Sequence, residues 1–181
     1  MMAEHYFFAL ALPDPMKEEL AILSKKLKIA FPFKKWVHPA DYHITLAFLG
    51  AADKGKRERA IGDIEKNLFE FRAFSLEITH LDTFGQRIFW AGVNNSKNLL
   101  DVQKQIYTSC QNAGFSLEER RFHPHITLAR KWPGEQRLKK EMFSVYDPSL
   151  SFLANEVVLY RTHPEKTPKY EKVKTFSLSH S

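Results

Sequence analysis

The sequence predicts an α+β fold made of two similar lobes, and three observations carry that prediction. Strand-like and helix-like stretches follow one another in the order β-α-β-α-β-β-α-β-α-β-β, which is neither strict βαβ alternation nor an all-β pattern. The string His43-Ile44-Thr45-Leu46-Ala47 recurs unchanged as His125-Ile126-Thr127-Leu128-Ala129. Such a match has a chance of roughly one in a hundred in a chain of this length. Each copy follows a helical stretch and sits on an expected strand, as two lobes related by an approximate two-fold axis require. Finally, apolar residues make up 44% of the 181 residues, enough to close a core, and no low-complexity stretch divides the chain. Residues 1–181 are therefore expected to form one bilobal domain.

The elements follow in order. His5 to Leu12 is a strand rich in Phe and Leu, stopped by Pro13. Asp14-Pro15 opens a helix with Asp14 as its cap, and Leu20, Leu23, Leu27 and Ala30 recur at helical spacing until Pro32. Trp36 to Pro39 is extended, and His43 to Leu49 is a strand ended by Gly50. Lys54 to Phe69 is a helix with Ala60, Ile61, Ile64 and Leu68 inward. Phe74 to Leu81 and Arg87 to Val93 are strands. Leu99 to Ala113 is a helix stopped by Gly114. His125 to Arg130 is a strand, and Gln136 to Val145 a short helix. Asn155 to Tyr160 and Val173 to Leu178 are strands joined by a polar loop, Arg161 to Lys172.

Bulk properties narrow the function classes. The net charge is +6, with an isoelectric point near 9.3, which favours anionic partners by long-range attraction. A single cysteine, Cys110, forms no internal disulfide and reads as a small buried hydrophobe. The N-terminal apolar run is too short for a signal peptide or a membrane span, so a cytoplasmic monomer without membrane attachment is expected. There is no phosphate-cradling glycine loop, nucleophile elbow or cysteine-based triad.

The repeated string carries the chemistry. Side chains alternate along a strand, so His43 and Thr45 share one face while Ile44 and Leu46 point into the core. His125 and Thr127 are backed in the same way by Ile126 and Leu128. If the two strands lie side by side, two imidazoles and two hydroxyls converge. One neutral imidazole takes a proton from attacking water while the other, protonated, gives one to the leaving oxygen. Thr45 and Thr127 supply hydrogen bonds where charge builds on phosphate oxygens. A lone His-x-Thr on a strand is usually structural, but packing gives no reason to duplicate one. Arg130 falls three residues after Thr127, and a regular strand turns it away. A bulge or the strand's end would swing it into the cleft, where its guanidinium is expected to clamp phosphate.

The paired tetrads resemble the two-histidine phosphoesterase superfamily. Their surroundings resemble its bacterial RNA 2′,3′-cyclic phosphodiesterases, also called 2′-5′ RNA ligase-like proteins. The matching stretches are Tyr6 to Leu10, His43 to Gly50, Phe122 to Arg130, Leu159-Tyr160-Arg161 and Tyr170. The resemblance implies antiparallel-rich sheets lining a central cleft. It also implies opening of a 2′,3′-cyclic phosphate on RNA or a cyclic nucleotide to a 2′-phosphomonoester. His43 would be the proton donor and His125 the proton acceptor, with no metal or other cofactor. The reverse reaction would join RNA ends through a 2′-5′ bond. The identical tetrads do not themselves order the two roles. The chain departs from the family after Tyr160, where Thr162 and a loop with Lys166 and Lys169 replace a serine and an arginine-rich loop.

Phe8, Phe48 and Tyr160 are candidates to stack on a base, although Phe7, Phe8, Phe48, Trp36, Trp90 and Tyr160 all suit a core. Lys34, Lys35, Arg120, Arg121 and Arg130 are candidates for backbone phosphates. His123 and His125 have a metal-like spacing, but carboxylates are sparse around them and a metal site is not expected. His38, His80 and His163 read as surface or loop residues, and His5 and His180 as terminal ones. Two other readings stand beside the RNA enzyme: a phosphodiesterase for small cyclic phosphates or 2′-5′ oligonucleotides, and an RNA-binding module without turnover.

Overall fold

The structure, a computed structural model, describes residues 4–179, so His180 lies outside the described residues. Strands β1 (His5–Ala11), β3 (His43–Ala51), β8 (Glu156–Thr162) and β9 (Tyr170–Ser177) form a four-stranded sheet in the order β3-β1-β8-β9. Strands β2 (Lys35–Trp36), β4 (Phe74–Phe84), β5 (Ile88–Val93), β6 (His125–Arg130) and β7 (Leu150–Ala154) form a five-stranded sheet in the order β2-β6-β5-β4-β7. Every strand pair is antiparallel, which gives the expected α+β class. The strands bearing the repeated string, β3 and β6, touch across the junction of the two sheets.

Helices α1 (Asp14–Ala30), α2 (Lys54–Leu68), α3 (Lys97–Asn112) and the short α4 (Lys140–Phe143) cover the sheets. The link between β1 and β3 runs through α1. Its C-cap, Phe31, packs on Phe89, Phe143 and Tyr146 of the five-stranded side. The link between β5 and β6 runs through α3. Gln103 on α3 donates from Nε2 to the Leu46 carbonyl of β3, at 3.2 Å, and so covers an edge strand of the other sheet. Each connection thus packs toward the opposite sheet. Buried side chains of both sheets, among them Leu10, Ile44, Phe89, Ile126 and Leu128, join one continuous apolar cluster.

β1 shows why its sequence is almost wholly apolar. Tyr6, Phe8, Leu10 and Leu12 face that main cluster, while Phe7, Ala9 and Ala11 join Val158 and Tyr160 on the other face. A strand covered on both sides loses the polar alternation that a half-exposed strand keeps.

Several expected boundaries move. Pro13, not Asp14, is the cap of α1, and Asp14 begins the helix. Gly50 does not end β3. It sits in the strand at φ +67, a left-handed conformation open to glycine, and Ala51 still pairs with His5. Beyond Leu81, β4 runs on to Phe84 past an irregularity at Ile78–His80. The helix expected over Gln136 to Val145 shrinks to α4 and a 3-10 turn, Ser144–Tyr146. β7 was not anticipated. Strands β8 and β9 extend into the expected polar loop and leave only residues 163–169 between them.

Candidate active site

The two copies of the string are built alike, down to one irregularity. Across β1 and β3, Ala9 pairs with Thr45 but Phe8 pairs with Ala47, so Leu46 is an extra residue. Across β5 and β6, Trp90 pairs with Thr127 but Phe89 pairs with Ala129, so Leu128 is extra. Each bulge turns two successive side chains, Leu46-Ala47 and Leu128-Ala129, into the core. Phe48 and Arg130 then return to the face that carries the histidine and threonine. Arg130 reaches the site by the bulge that a regular strand lacks. Phe48, 58% exposed, holds the equivalent place in the other lobe.

Each imidazole is held by a backbone carbonyl two residues upstream. His43 Nδ1 lies 2.7 Å from the Asp41 carbonyl oxygen, and His125 Nδ1 lies 2.7 Å from that of His123. A carbonyl only accepts, so Nδ1 carries the proton on both rings and Nε2 of the neutral ring is left as an acceptor. Thr45 Oγ1 stands 3.0 Å from His43 Nε2 and donates to it while the ring is neutral.

The surroundings of the two rings differ. His43 is packed by Phe7, Tyr170 and Tyr160, with ring centroids 4.8, 5.2 and 6.0 Å away. Burial among them pushes its proton affinity down to about 4, against the upward pull of the Asp41 carbonyl, and positive charge on His125 and Arg130 adds to the fall. His125 is bounded by Phe84 at 4.8 Å and Trp90 at 5.9 Å, with His123 at 6.3 Å. Burial lowers its affinity too, again opposed by its carbonyl, with His123 and Arg130 contributing. The positive charge of Arg130 lowers both rings. Both rings are thus held in the neutral form more readily than a free imidazole. The donor role expected of His43 therefore needs a bound anion to raise its affinity.

The other expected positions sort as follows. Thr127 sits on the cleft face of β6, half-buried and opposite Trp90. Tyr160 is buried beside Phe7, and burial pushes its hydroxyl up to about 12. Phe8 is a correction: it is fully buried in the main core, and strand parity gives its neighbour Phe7 the place beside His43. His80, expected at the surface, packs edge-on to Trp90 at 5.6 Å. Gly92 leaves that ring room, for a Cβ there would come 2.2 Å from His80 Nε2. Among the described residues, no group of three or more His, Cys, Asp or Glu side chains is arranged to hold a metal ion.

Asp41 was not singled out from the sequence. Its buried carboxylate accepts the backbone N–H of Lys169 at 3.0 Å and of Tyr170 at 3.2 Å. It thereby pins the end of the 163–169 loop to the residue whose carbonyl orients His43. Tyr170, seen only as a family match, is placed against that ring by the same anchor.

Comparison with known proteins gives the family and the fold. The family model described as the 2′-5′ RNA ligase superfamily matches residues 13–166. A protein of Geobacillus stearothermophilus named RNA 2′,3′-cyclic phosphodiesterase is 42% identical over 98% of this chain, which spans 58% of that relative's length. A Bacillus subtilis protein of the same name is 34% identical, with 97% of each chain covered. Among solved structures, E. coli LigT complexed with 3′-AMP shares the fold with a TM-score of 0.83, at 22% identity over 98% of this chain and 99% of that one. No helix among the described residues is long and apolar enough to cross a membrane.

Proposed function

The chain belongs to the 2′-5′ RNA ligase superfamily, and we propose that within it the protein hydrolyses 2′,3′-cyclic phosphate ends of RNA to 2′-phosphomonoesters, using His43 and His125 as the acid–base pair. One observation carries the reading: two identical His-x-Thr strands, each with its ring locked by an upstream carbonyl, present two Nε2 atoms on neighbouring strands. The names of the two bacterial relatives support it.

In the proposed step, water attacks phosphorus and the bond to the 3′ oxygen breaks. The neutral ring, His125, takes the water proton, and the protonated ring, His43, gives its proton to the departing 3′ oxygen. Thr45, Thr127 and Arg130 bind the non-bridging oxygens, where negative charge grows. The phosphate's own charge supplies what His43 lacks in the empty cleft, since an anion beside a ring favours its protonated form. A 5′-hydroxyl in place of water gives the ligation product by the same proton transfers. Every proton-transfer part is a side chain of this chain, so the step is expected to run without a metal.

The test is incubation in EDTA with an RNA ending in a 2′,3′-cyclic phosphate, followed by identification of the product. Release of a 2′-phosphomonoester is expected. A 3′-phosphomonoester, or activity that vanishes in EDTA and returns with added metal, contradicts the mechanism.

A further inference from the structure

Beyond the tetrads, the cleft wall of the five-stranded sheet ends in a row of cations. β2 pairs Lys35 with Arg130, and cross-strand partners project from the same face, here the face of His125 and Thr127. One step further out, Lys34 N–H donates to the Lys131 carbonyl at 3.0 Å, and Lys131 N–H donates to the Arg87 carbonyl at 3.1 Å. Lys34, Lys35, Arg87, Arg130 and Lys131 are all exposed. From the other lobe, the Asp41 anchor holds Lys169 close enough for Arg130 and Lys35 to lower its proton affinity, after burial. Lys131 is lowered chiefly by Lys35. None of Lys34, Lys35, Lys131 or Lys169 forms a salt bridge with a carboxylate among the described residues. Three strand ends and a loop thus gather like charges, of which only Lys169 feels a nearby carboxylate, that of Asp41, and repulsion of this kind is relieved by an anion.

We propose that Lys34, Lys35 and Lys131 form a phosphate-binding track for the RNA strand upstream of the scissile end, so that the enzyme prefers oligonucleotides to cyclic mononucleotides. This rests on the phosphodiesterase reading and adds to it the residues that would carry the RNA strand. An RNA whose terminal phosphate is cyclic carries all its other phosphates on the 5′ side. A row continuing past Arg130 meets those phosphates, while a cyclic mononucleotide has none to offer. Contacts to backbone phosphates carry no sequence preference and weaken with salt.

The experiment compares kcat/KM for a 2′,3′-cyclic mononucleotide and for a short single-stranded RNA with the same end, in the wild type and in the triple variant Lys34→Gln/Lys35→Gln/Lys131→Asn. Asn at the last position suits the positive φ of Lys131. The wild type is expected to favour the RNA, and the variant to lose about tenfold or more of that ratio. The salt dependence of the RNA reaction should flatten by a log–log slope of about 2, near 0.7 for each lost contact to a single strand. A ratio that does not move, or a wild type indifferent to length, overturns the track. If the wild type turns over neither substrate, the phosphodiesterase reading fails. Fluorescence anisotropy with the same labelled RNA then decides the track separately: a tenfold weaker complex in the variant keeps it, and equal affinity removes it.

Discussion

His43 and His125 end on main-chain carbonyls, so the backbone fixes each ring's tautomer and leaves Nε2 toward the cleft. Their proton affinities are the residue-scale quantities to measure. Both lie below the ordinary imidazole value of 6.5, His43 at about 4. The limbs of kcat/KM against pH, which belong to the free enzyme, should therefore both fall below pH 6.5. Those of kcat should lie higher, because bound phosphate favours imidazolium. A kcat/KM optimum well above pH 7 would contradict the desolvated pair. Stability follows the same sign. Between about 4 and 6.5 the unfolded chain takes up a proton that folded His43 refuses. The contribution of neutral His43 is thus complete above pH 6.5 and is lost as pH falls toward 4, up to about 3 kcal/mol. Urea unfolding of the wild type and His43→Gln at pH 7 and 4.5 checks this: the wild type should lose more stability than the variant, and equal losses would refute it. The two histidines and two threonines were legible in the sequence because an exact repeat singles them out. Phe7 and Phe8 were not distinguishable, since β1 is buried on both faces and apolar content then carries no parity.

The element that shapes the cleft is the pair of bulges at Leu46 and Leu128. They explain why both strings continue Leu-Ala: two successive core positions are needed, and alanine fits the second. They also bring Arg130 and Phe48 to equivalent places. Arg130→Ala should raise KM by about tenfold or more with a much smaller change in kcat, as loss of one charged phosphate contact does. An unchanged KM in steady-state assays would remove Arg130 from the site. The 163–169 loop depends on Asp41 in a similar way. Asp41→Ala leaves two backbone N–H groups without their acceptor, at a cost of about 2 kcal/mol. Denaturant titration should show that loss, and hydrogen exchange should show faster exchange at Tyr170. Protection at Tyr170 equal to the wild type would refute the anchor. Of these, only Arg130 and the need for a break in its strand's alternation were readable beforehand. A bulge leaves no composition signal, and the bonds from Asp41 to Lys169 and Tyr170 join distant parts of the chain. β7 escaped although Asp147-Pro148-Ser149 and Asn155 bound it, because five residues are too few to show a clear period.

At the scale of the molecule, two sheets bring identical strands together while surrounding them differently. The four-stranded side encloses His43 with Phe7, Tyr160 and Tyr170; the five-stranded side leaves His125 between Phe84 and Trp90. This asymmetry gives two groups with the same local sequence different surroundings, through which bound phosphate can assign them different roles. The α+β class and the lobed plan were legible from the order of elements and the repeat. The packing of α1 and α3 toward opposite sheets was not, because periodicity shows which face of a helix is apolar but not what it meets. The central claim, that the two imidazoles work as one unit, is tested most directly by a double-mutant cycle on kcat with RNA 2′,3′-cyclic phosphate as substrate. His43→Ala and His125→Ala should each lower kcat by about a hundredfold or more, and the double variant should fall little further, since either loss alone disables the pair. A single variant at the wild-type rate, or two losses that multiply in the double variant, would contradict it.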